Sequence, residues 1–307
     1  MYNNKHCNDK KENNIPRTWD KLSYTGTTRV PPAEEPGSYS WPTFFISRDE
    51  HGTFLDNEGK PLYATIREPN NSIDFEGKQL DIVKYTLDNL TPHQVEVAKY
   101  WGTGPATKQW TPIIDRLIDT YSITAPRAAR ILACVQGALN DAFILAWYFK
   151  YLWKVSRPNQ FDQHLKTLLC TPDHPTYPSG HATIAGCAEI VLSYFFYGER
   201  DRLHELAEEC AISRLYAGVH FPIDNDEGLR LGRYIGALVV DQLRKQSTSE
   251  QIAVDYPILE NRHADLMPPP YKQVIPFDYN KKCKSSVMTD KCYYDCDCDY
   301  NCQYDWD

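Results

Sequence analysis

The sequence predicts an all-α fold, because apolar residues recur at helical spacing through the middle of the chain and alternate nowhere for more than a few residues. The composition changes at both ends of this region. Residues 1–80 are rich in Pro, Gly, Asn and charge, and residues 276–307 are rich in Cys, Asp and Tyr. We therefore predict an irregular N-terminal segment over residues 1–80 packed on the core, a helical domain over residues 81–275, and a tail over residues 276–307.

The first three predicted helices have clear start signals or buried stripes. Residues 91–94 (TPHQ) place an N-cap Thr, a Pro in the first turn and a Gln able to close a capping box. A second helix is predicted from an apolar stripe on one face: Ile113, Ile114, Leu117, Ile118 and Tyr121. Thr124 caps a third, long helix, which should run to about Val155 because Pro158 disfavours helical backbone at the residue before it.

Three further helices follow from apolar spacing: Gly180 to about Tyr197, Arg202 to Ala217, and Glu227 to Lys245. The two most apolar stretches, residues 131–149 and 182–197, are both interrupted by polar or charged side chains. Neither is an unbroken apolar run of the length that a bilayer requires, so the sequence predicts no membrane span.

The net charge and the N-terminal sequence bear on nucleic-acid binding and on cellular location. The formal net charge of -8 at pH 7 argues against nucleic-acid binding, since phosphate contacts need clustered Lys and Arg. The N-terminus lacks the basic-then-apolar pattern of a signal peptide, so a cytoplasmic location is expected.

Nine of the ten cysteines fall into two groups. We expect reduced, core-packed thiols where cysteines lie in or beside apolar helical sequence, at Cys134, Cys170, Cys187 and Cys210. Five others crowd the tail with no standard zinc spacing, at Cys283, Cys292, Cys296, Cys298 and Cys302. The tail could bind metal, cross-link chains or have no structural role. Because it is too polar to contribute a core, truncation after about Phe277 is expected to leave folding intact.

Two motifs could bring cations and backbone N–H groups to one point. Lys150 lies on the last turns of the long helix, and Arg157 lies just beyond its end. Residues 177–181 (YPSGH) lie where a loop becomes a helix. Backbone N–H groups at a helix start attract anions, Gly180 allows close approach, and Ser179 adds a hydroxyl donor.

A third motif places Arg214 six residues before His220 and Asp224 four residues after it. Asp224 is positioned to accept the second ring N–H of His220, which would fix its tautomer. Each motif alone has an ordinary explanation: a helix stop with a solvated Arg, a turn with an N-cap, or a buried His–Asp pair. Together they predict one pocket for a tetrahedral oxyanion such as vanadate or phosphate, with a built-in acid/base.

The three motifs resemble the signature shared by the vanadium-dependent haloperoxidases and the type-2 phosphatidic acid phosphatases. All eight signature positions are present in family order: Lys150, Arg157, Ser179, Gly180, His181, Arg214, His220 and Asp224. The resemblance covers roughly residues 85–245 and implies a helical bundle of this superfamily's type, with residues 81–275 as its catalytic domain.

Flanking residues resemble the haloperoxidase branch. Residues 90–105 contain LTP, YW and GP in the order seen in bacterial haloperoxidase-like proteins, and Trp147 matches a pocket tryptophan of that family. Residues 171–179 (TPDHPTYPS) resemble its TPPFPEYPSGH segment, with His174 at a position that borders the halide site there. His174 could also be a plain polar loop residue. The resemblance implies vanadate as cofactor, with hydrogen peroxide, halide and a small organic acceptor as partners, and bromide or iodide oxidised before chloride.

The resemblance also implies roles for the site residues. In a haloperoxidase, His220 is the axial ligand of vanadium, His181 manages peroxide protons and Lys150 polarises peroxide. The alternative is a soluble phosphomonoesterase, in which His220 attacks phosphorus to form a phosphohistidine and His181 protonates the leaving alcohol. Arg157 and Arg214 hold equatorial oxygens in both cases. A third interpretation is a non-enzymatic phosphate- or vanadate-binding protein anchored by its tail, and a homo-oligomer is left open.

Overall fold

The computed structural model describes residues 17–62, 66–70, 72–276 and 283–287, so the predictions for Cys292, Cys296, Cys298 and Cys302 lie outside it. The described part contains eight α-helices: α1 (Leu80–Asp88), α2 (Pro92–Gly102), α3 (Trp110–Thr120), α4 (Ala125–Trp153), α5 (Pro158–Phe161), α6 (Gly180–Phe195), α7 (Arg200–Tyr216) and α8 (Pro222–Arg244). One small antiparallel sheet pairs β1 (Ser47–Arg48) with β2 (Phe54–Leu55). The all-α prediction is confirmed.

Six of these helices correspond to predicted ones. The capping box of α2 is present: Thr91 Oγ1 accepts from the Gln94 N–H (3.2 Å), and Gln94 Oε1 accepts from the Thr91 N–H (2.9 Å). α4 ends at Trp153 because Lys154 adopts a left-handed backbone, with φ of 48°. α8 begins earlier than the predicted Glu227, because buried polar side chains in its first turn hide the apolar stripe.

The sequence did not predict α1. Its buried face consists of Leu80 and Val83 alone, too few residues to show a helical period. A π-helical turn, Phe75–Gln79, leads into it, and the Asp74 carboxylate caps that turn by accepting the N–H groups of Gly77 and Lys78.

α6 lies at the centre of the bundle and packs against α4, α7 and α8. Its contact with α8 is close enough to require glycine at several positions. A Cβ at Gly232 would lie 2.0 Å from a carbonyl oxygen of α6, and a Cβ at Gly186 would lie 2.5 Å from a carbonyl oxygen of α8. The contact holds the N-terminal ends of both helices side by side, where the Ser179 N–H donates to the Asp224 carbonyl (2.9 Å).

α4 is the one helix in the described ranges that is long and apolar enough to cross a membrane by length and composition. Within its most apolar window, 67% is buried inside the fold, where α4 packs on α6 and α8. Burial in the bundle core therefore accounts for its apolar sequence.

The cysteine predictions need one correction. Cys170 forms a disulfide with Cys283, so the interpretation of Cys170 as a reduced thiol is wrong. Thr167 adds backbone hydrogen bonds to Ser285 (3.0 Å) and Val287 (2.9 Å). Residues 283–287, which truncation after Phe277 would remove, are therefore attached to the helical domain, and the effect of that truncation on folding stays a prediction. Disulfides are rare in cytosolic proteins, so this bond weighs against the cytoplasmic location, which stays a prediction. The other three predicted core thiols are free and buried: Cys134, Cys187 and Cys210.

One buried carboxylate attaches the N-terminal segment to α4. Asp141 is 0% exposed, and its two oxygens accept the backbone N–H groups of Phe44 (2.8 Å), Phe45 (2.7 Å) and Ile46 (2.9 Å). A carboxylate suits three converging N–H groups because both of its oxygens are acceptors.

We expect Asp141→Asn to destabilise the protein by about 1–3 kcal/mol, because an amide NH2 would face a backbone donor where an acceptor is needed. Urea unfolding would measure the loss. Asp115→Asn, an exposed carboxylate on α3, is the matched control and should leave the midpoint unchanged. Equal midpoints for both variants would contradict this role for Asp141.

Candidate active site

The predicted oxyanion-site residues lie at the ends of five helices. Lys150 is on the last turn of α4, Arg157 directly precedes α5, Arg214 is on the last turn of α7, and the others flank the starts of α6 and α8: Ser179, Gly180, His181, His220 and Asp224. Lys150 and Arg157 are 0% exposed and Arg214 is 2% exposed. The folded chain therefore buries three cations in one region.

Arg157 connects two histidines. Its Nε donates to the His174 carbonyl (3.0 Å) and its Nη1 to the Val219 carbonyl (2.7 Å). Nη1 also donates to His220 Nε2 (3.0 Å), and Nη2 donates to His174 Nδ1 (3.0 Å). A guanidinium can only donate, so both ring nitrogens are unprotonated acceptors. The 3.2 Å contact between His174 Nδ1 and the Pro175 carbonyl is then not a hydrogen bond.

His220 is held in one tautomer. Its Nδ1–H donates to Asp224 Oδ2 (2.8 Å), and the same oxygen accepts the Phe221 N–H (3.0 Å). Burial, reinforced by Arg157 and Lys150, holds the pKa of His220 well below its usual range. Burial also raises the pKa of Asp224 to about 6, against the lowering effect of its hydrogen bonds. At neutral pH, therefore, His220 is uncharged and its Nε2 carries a lone pair.

Lys150 is fixed by two carbonyls. Its Nζ donates to the Pro175 carbonyl (2.8 Å) and the Thr176 carbonyl (2.9 Å), which leaves one of its three donors. Burial, and then the positive charge of Arg157, hold the pKa of Lys150 well below its usual range. Among the described residues, neither Lys150 nor Arg157 forms an ion pair with a carboxylate.

Two buried cations without carboxylate partners are costly, and a bound anion would compensate them. Lys150 has a remaining N–H, and Arg157 could transfer its Nη1 hydrogen bond from His220 to an anion oxygen. His220 Nε2 would then be available to the central atom of that anion. The donor set thus fits a tetrahedral oxyanion, vanadate included.

The start of α6 adds Ser179, Gly180 and His181 to the site. Ser179 is its N-cap, with its Oγ accepting the Ala182 N–H (3.4 Å). A Cβ at Gly180 would meet Trp147 at 3.5 Å, an ordinary contact, so no protein neighbour requires glycine there. His181 Nε2 is buried without a hydrogen-bond partner among the described residues. Burial, and then Arg214, hold the pKa of His181 well below its usual range, so the ring is neutral.

His174 and Trp147 form an aromatic wall beside these cations. Their ring centroids are 4.7 Å apart, and Lys150 Nζ lies 5.9 Å from the Trp147 ring. His174 is 8% exposed, which excludes a solvated loop residue. Burial, with Lys150 and Arg157 next, holds its pKa well below the usual range. Trp147 Nε1 donates to the Glu34 carbonyl (3.2 Å), so the N-terminal segment covers this wall.

Thr176 is a site residue that the sequence analysis did not name. It is 0% exposed, and its hydroxyl contacts His220 Nδ1 (3.1 Å) and donates to Asp224 Oδ2. A threonine before Tyr-Pro gives no sequence signal of such a role, because the contact depends on where α8 begins.

Other features of the fold lie away from this region. A cavity of about 450 Å³ lies near the C-terminal ends of α6 and α8, lined by Tyr194, Leu243 and Pro257 among others. Within the described ranges, no group of three or more His, Cys, Asp or Glu could hold a metal ion. An oxyanion held by one histidine and several cations does not need such a group.

Comparison with known proteins agrees with the geometry. Residues 130–247 match the family model of the PAP2 superfamily. The fold is similar to a bacterial vanadium-dependent iodoperoxidase, with 22% identity and a TM-score of 0.56 over 72% of this chain and 60% of that chain. It is also similar to an apo-form bacterial vanadium-dependent chloroperoxidase, with 15% identity and a TM-score of 0.55 over 70% of this chain and 57% of that chain. No curated protein sequence matches.

The likeness to the two haloperoxidases covers only part of their chains. The chain spans only 60% and 57% of the two haloperoxidase chains, and at such identities the likeness shows the fold alone. The matched segment contains α6, α7 and α8 whole and most of α4. It also contains every residue of the predicted signature. The helical region over residues 130–247 therefore matches the PAP2 superfamily model, and it contains the motifs that resemble that superfamily's signature.

Proposed function

We propose that this chain is a vanadate-dependent haloperoxidase-like enzyme that oxidises halide with hydrogen peroxide, bromide or iodide before chloride, and halogenates a small organic acceptor. The observation that carries this proposal is the neutral His181, whose buried Nε2 has no partner among the described residues. A neutral imidazole can accept a proton from hydrogen peroxide. Its lowered pKa suits this role better than that of the general acid, which the phosphatase alternative requires.

The surrounding residues support the same activity. Bound vanadate would supply a Lewis acid that activates hydrogen peroxide toward halide. His220 Nε2 would hold the anion, and Asp224 keeps that nitrogen unprotonated by accepting the Nδ1–H (2.8 Å). Arg157 and Arg214 would neutralise its oxygens, and the remaining N–H of Lys150 would donate to peroxide. The Trp147–His174 wall would exclude water from the halide.

The phosphomonoesterase alternative uses the same His220 Nε2 as a nucleophile, and the unprotonated state of this atom suits it equally. The two functions are separated by assaying one preparation both ways. The protein is stripped of anions, loaded with orthovanadate, and assayed for bromination of a phenolic probe with peroxide. A vanadate-free sample is assayed for hydrolysis of a chromogenic phosphate ester. We expect bromination that depends on vanadate and little ester hydrolysis, and the opposite pattern would overturn the proposal.

His181→Ala should reduce the bromination kcat by about 10²–10⁴-fold, the contribution of a positioned acid/base group. Vanadate affinity, measured by calorimetry, should stay close to that of the wild type because the cations and the start of α6 remain. His164→Ala is the matched control, since His164 is an exposed histidine outside the proposed site. Full turnover in His181→Ala would show that the proton-transfer role is misassigned.

His174→Phe should change the ratio of kcat/KM for bromide to that for chloride while leaving vanadate affinity nearly unchanged. An imidazole can donate or accept beside the peroxide, whereas a phenyl ring offers an apolar wall, and chloride holds its water more tightly than bromide. Because Arg157 loses one acceptor in this variant, the loaded fraction must be measured in parallel. An unchanged halide ratio at equal loading would rule out a halide-pocket role.

A further inference from the structure

Thr176 lies between Lys150 and the His220–Asp224 pair of the proposed site. Its carbonyl accepts from Lys150 Nζ (2.9 Å), and its N–H donates to the Val155 carbonyl (3.0 Å). Its Oγ1 lies 3.1 Å from His220 Nδ1 and donates to Asp224 Oδ2. One fully buried residue therefore contacts the lysine, the histidine and the carboxylate through separate atoms.

The direction of each hydrogen bond follows from the donors. Arg157 can only donate, so His220 Nε2, which it contacts at 3.0 Å, has no proton. The ring proton is then on Nδ1, within reach of Asp224 Oδ2 (2.8 Å) and Thr176 Oγ1. Nδ1 cannot accept from the Thr176 hydroxyl, so that hydroxyl proton goes to Asp224.

We propose that Thr176 is a positioning residue that fixes the His220 tautomer through its hydroxyl bridge to Asp224. The hydroxyl secures the carboxylate oxygen that accepts the Nδ1–H, and it can itself accept a share of that proton. Without it, Asp224 Oδ2 loses one of its three donors, and the carboxylate can rotate toward Oδ1, which has no partner among the described residues. His220 Nε2 would then no longer point consistently at the anion.

This inference rests on the proposed function in one respect, which is that His220 Nε2 contacts the bound anion. Its test therefore does not use halide oxidation. Vanadate-free protein labelled with ¹⁵N at histidine reports the tautomer through imidazole ¹⁵N shifts. The His220 signal is assigned with a His220→Gln sample. Orthophosphate affinity, measured by calorimetry, reports anion binding.

In the wild type we expect a protonated Nδ1 and an unprotonated Nε2 at His220. Thr176→Val keeps the shape of the side chain and removes the hydroxyl. It should move the His220 shifts toward tautomer averaging and weaken orthophosphate binding by about 10–100-fold, the usual effect of losing an outer partner. Thr176→Ser should restore both readouts. Thr25→Val is the matched control and should change neither, since Thr25 is a buried threonine whose hydroxyl contacts the carbonyls of Asn159 and Asp162.

Wild-type shifts with unchanged orthophosphate affinity in folded Thr176→Val would overturn the inference, as would Thr176→Ser behaving like Thr176→Val. If Thr176→Val does not fold, proton NMR of the wild type tests the hydroxyl bridge by itself. The bridging hydroxyl proton should be protected from exchange and give a cross-peak to the Nδ1 proton of His220, and its absence beside a sharp His220 signal would refute the bridge. If these results are as expected but no halide is oxidised, the proposed function fails while this inference stands.

Discussion

The backbones of α6 and α8 touch near their N-terminal ends, and the geometry of the proposed site depends on this contact. Gly186 and Gly232 allow it, since a Cβ at either position would lie within 2.5 Å of a carbonyl oxygen. The contact places Ser179 against Asp224, joined by a backbone hydrogen bond of 2.9 Å. The start of α6, with its N–H groups and favourable dipole, is thereby held beside the His220–Asp224 pair at the start of α8.

Burial of positive charge is the energetic consequence. A protein of net charge -8 would have ample carboxylates to neutralise three cations at its surface. Here Lys150 and Arg157 are instead held by backbone carbonyls and histidine nitrogens, which orient them without cancelling their charge. A bound anion would compensate that buried charge and stabilise the folded chain.

Two connections outside the helices hold the site loop and its cover in place. The disulfide between Cys170 and Cys283 fixes the chain directly before residues 171–179, which supply His174, Thr176 and Ser179. The N-terminal segment is attached to α4 by Asp141 and covers Trp147 through the Glu34 carbonyl. The residues of the proposed site are thus surrounded by structure that limits their movement.

The sequence by itself determined the helical class, six of the eight helices in the described residues and the motifs that resemble the superfamily signature, because helical spacing, caps and short motifs are local properties of the chain. The sequence did not predict α1, α5 or the true start of α8, since short helices and buried polar turns show no helical period. Only the tertiary structure decided which groups meet. The Cys170–Cys283 pairing and the burial of His174 against Trp147 depend on distances between segments far apart in sequence. The contacts of the Thr176 hydroxyl with His220 and Asp224 depend in the same way on the close packing of α6 against α8.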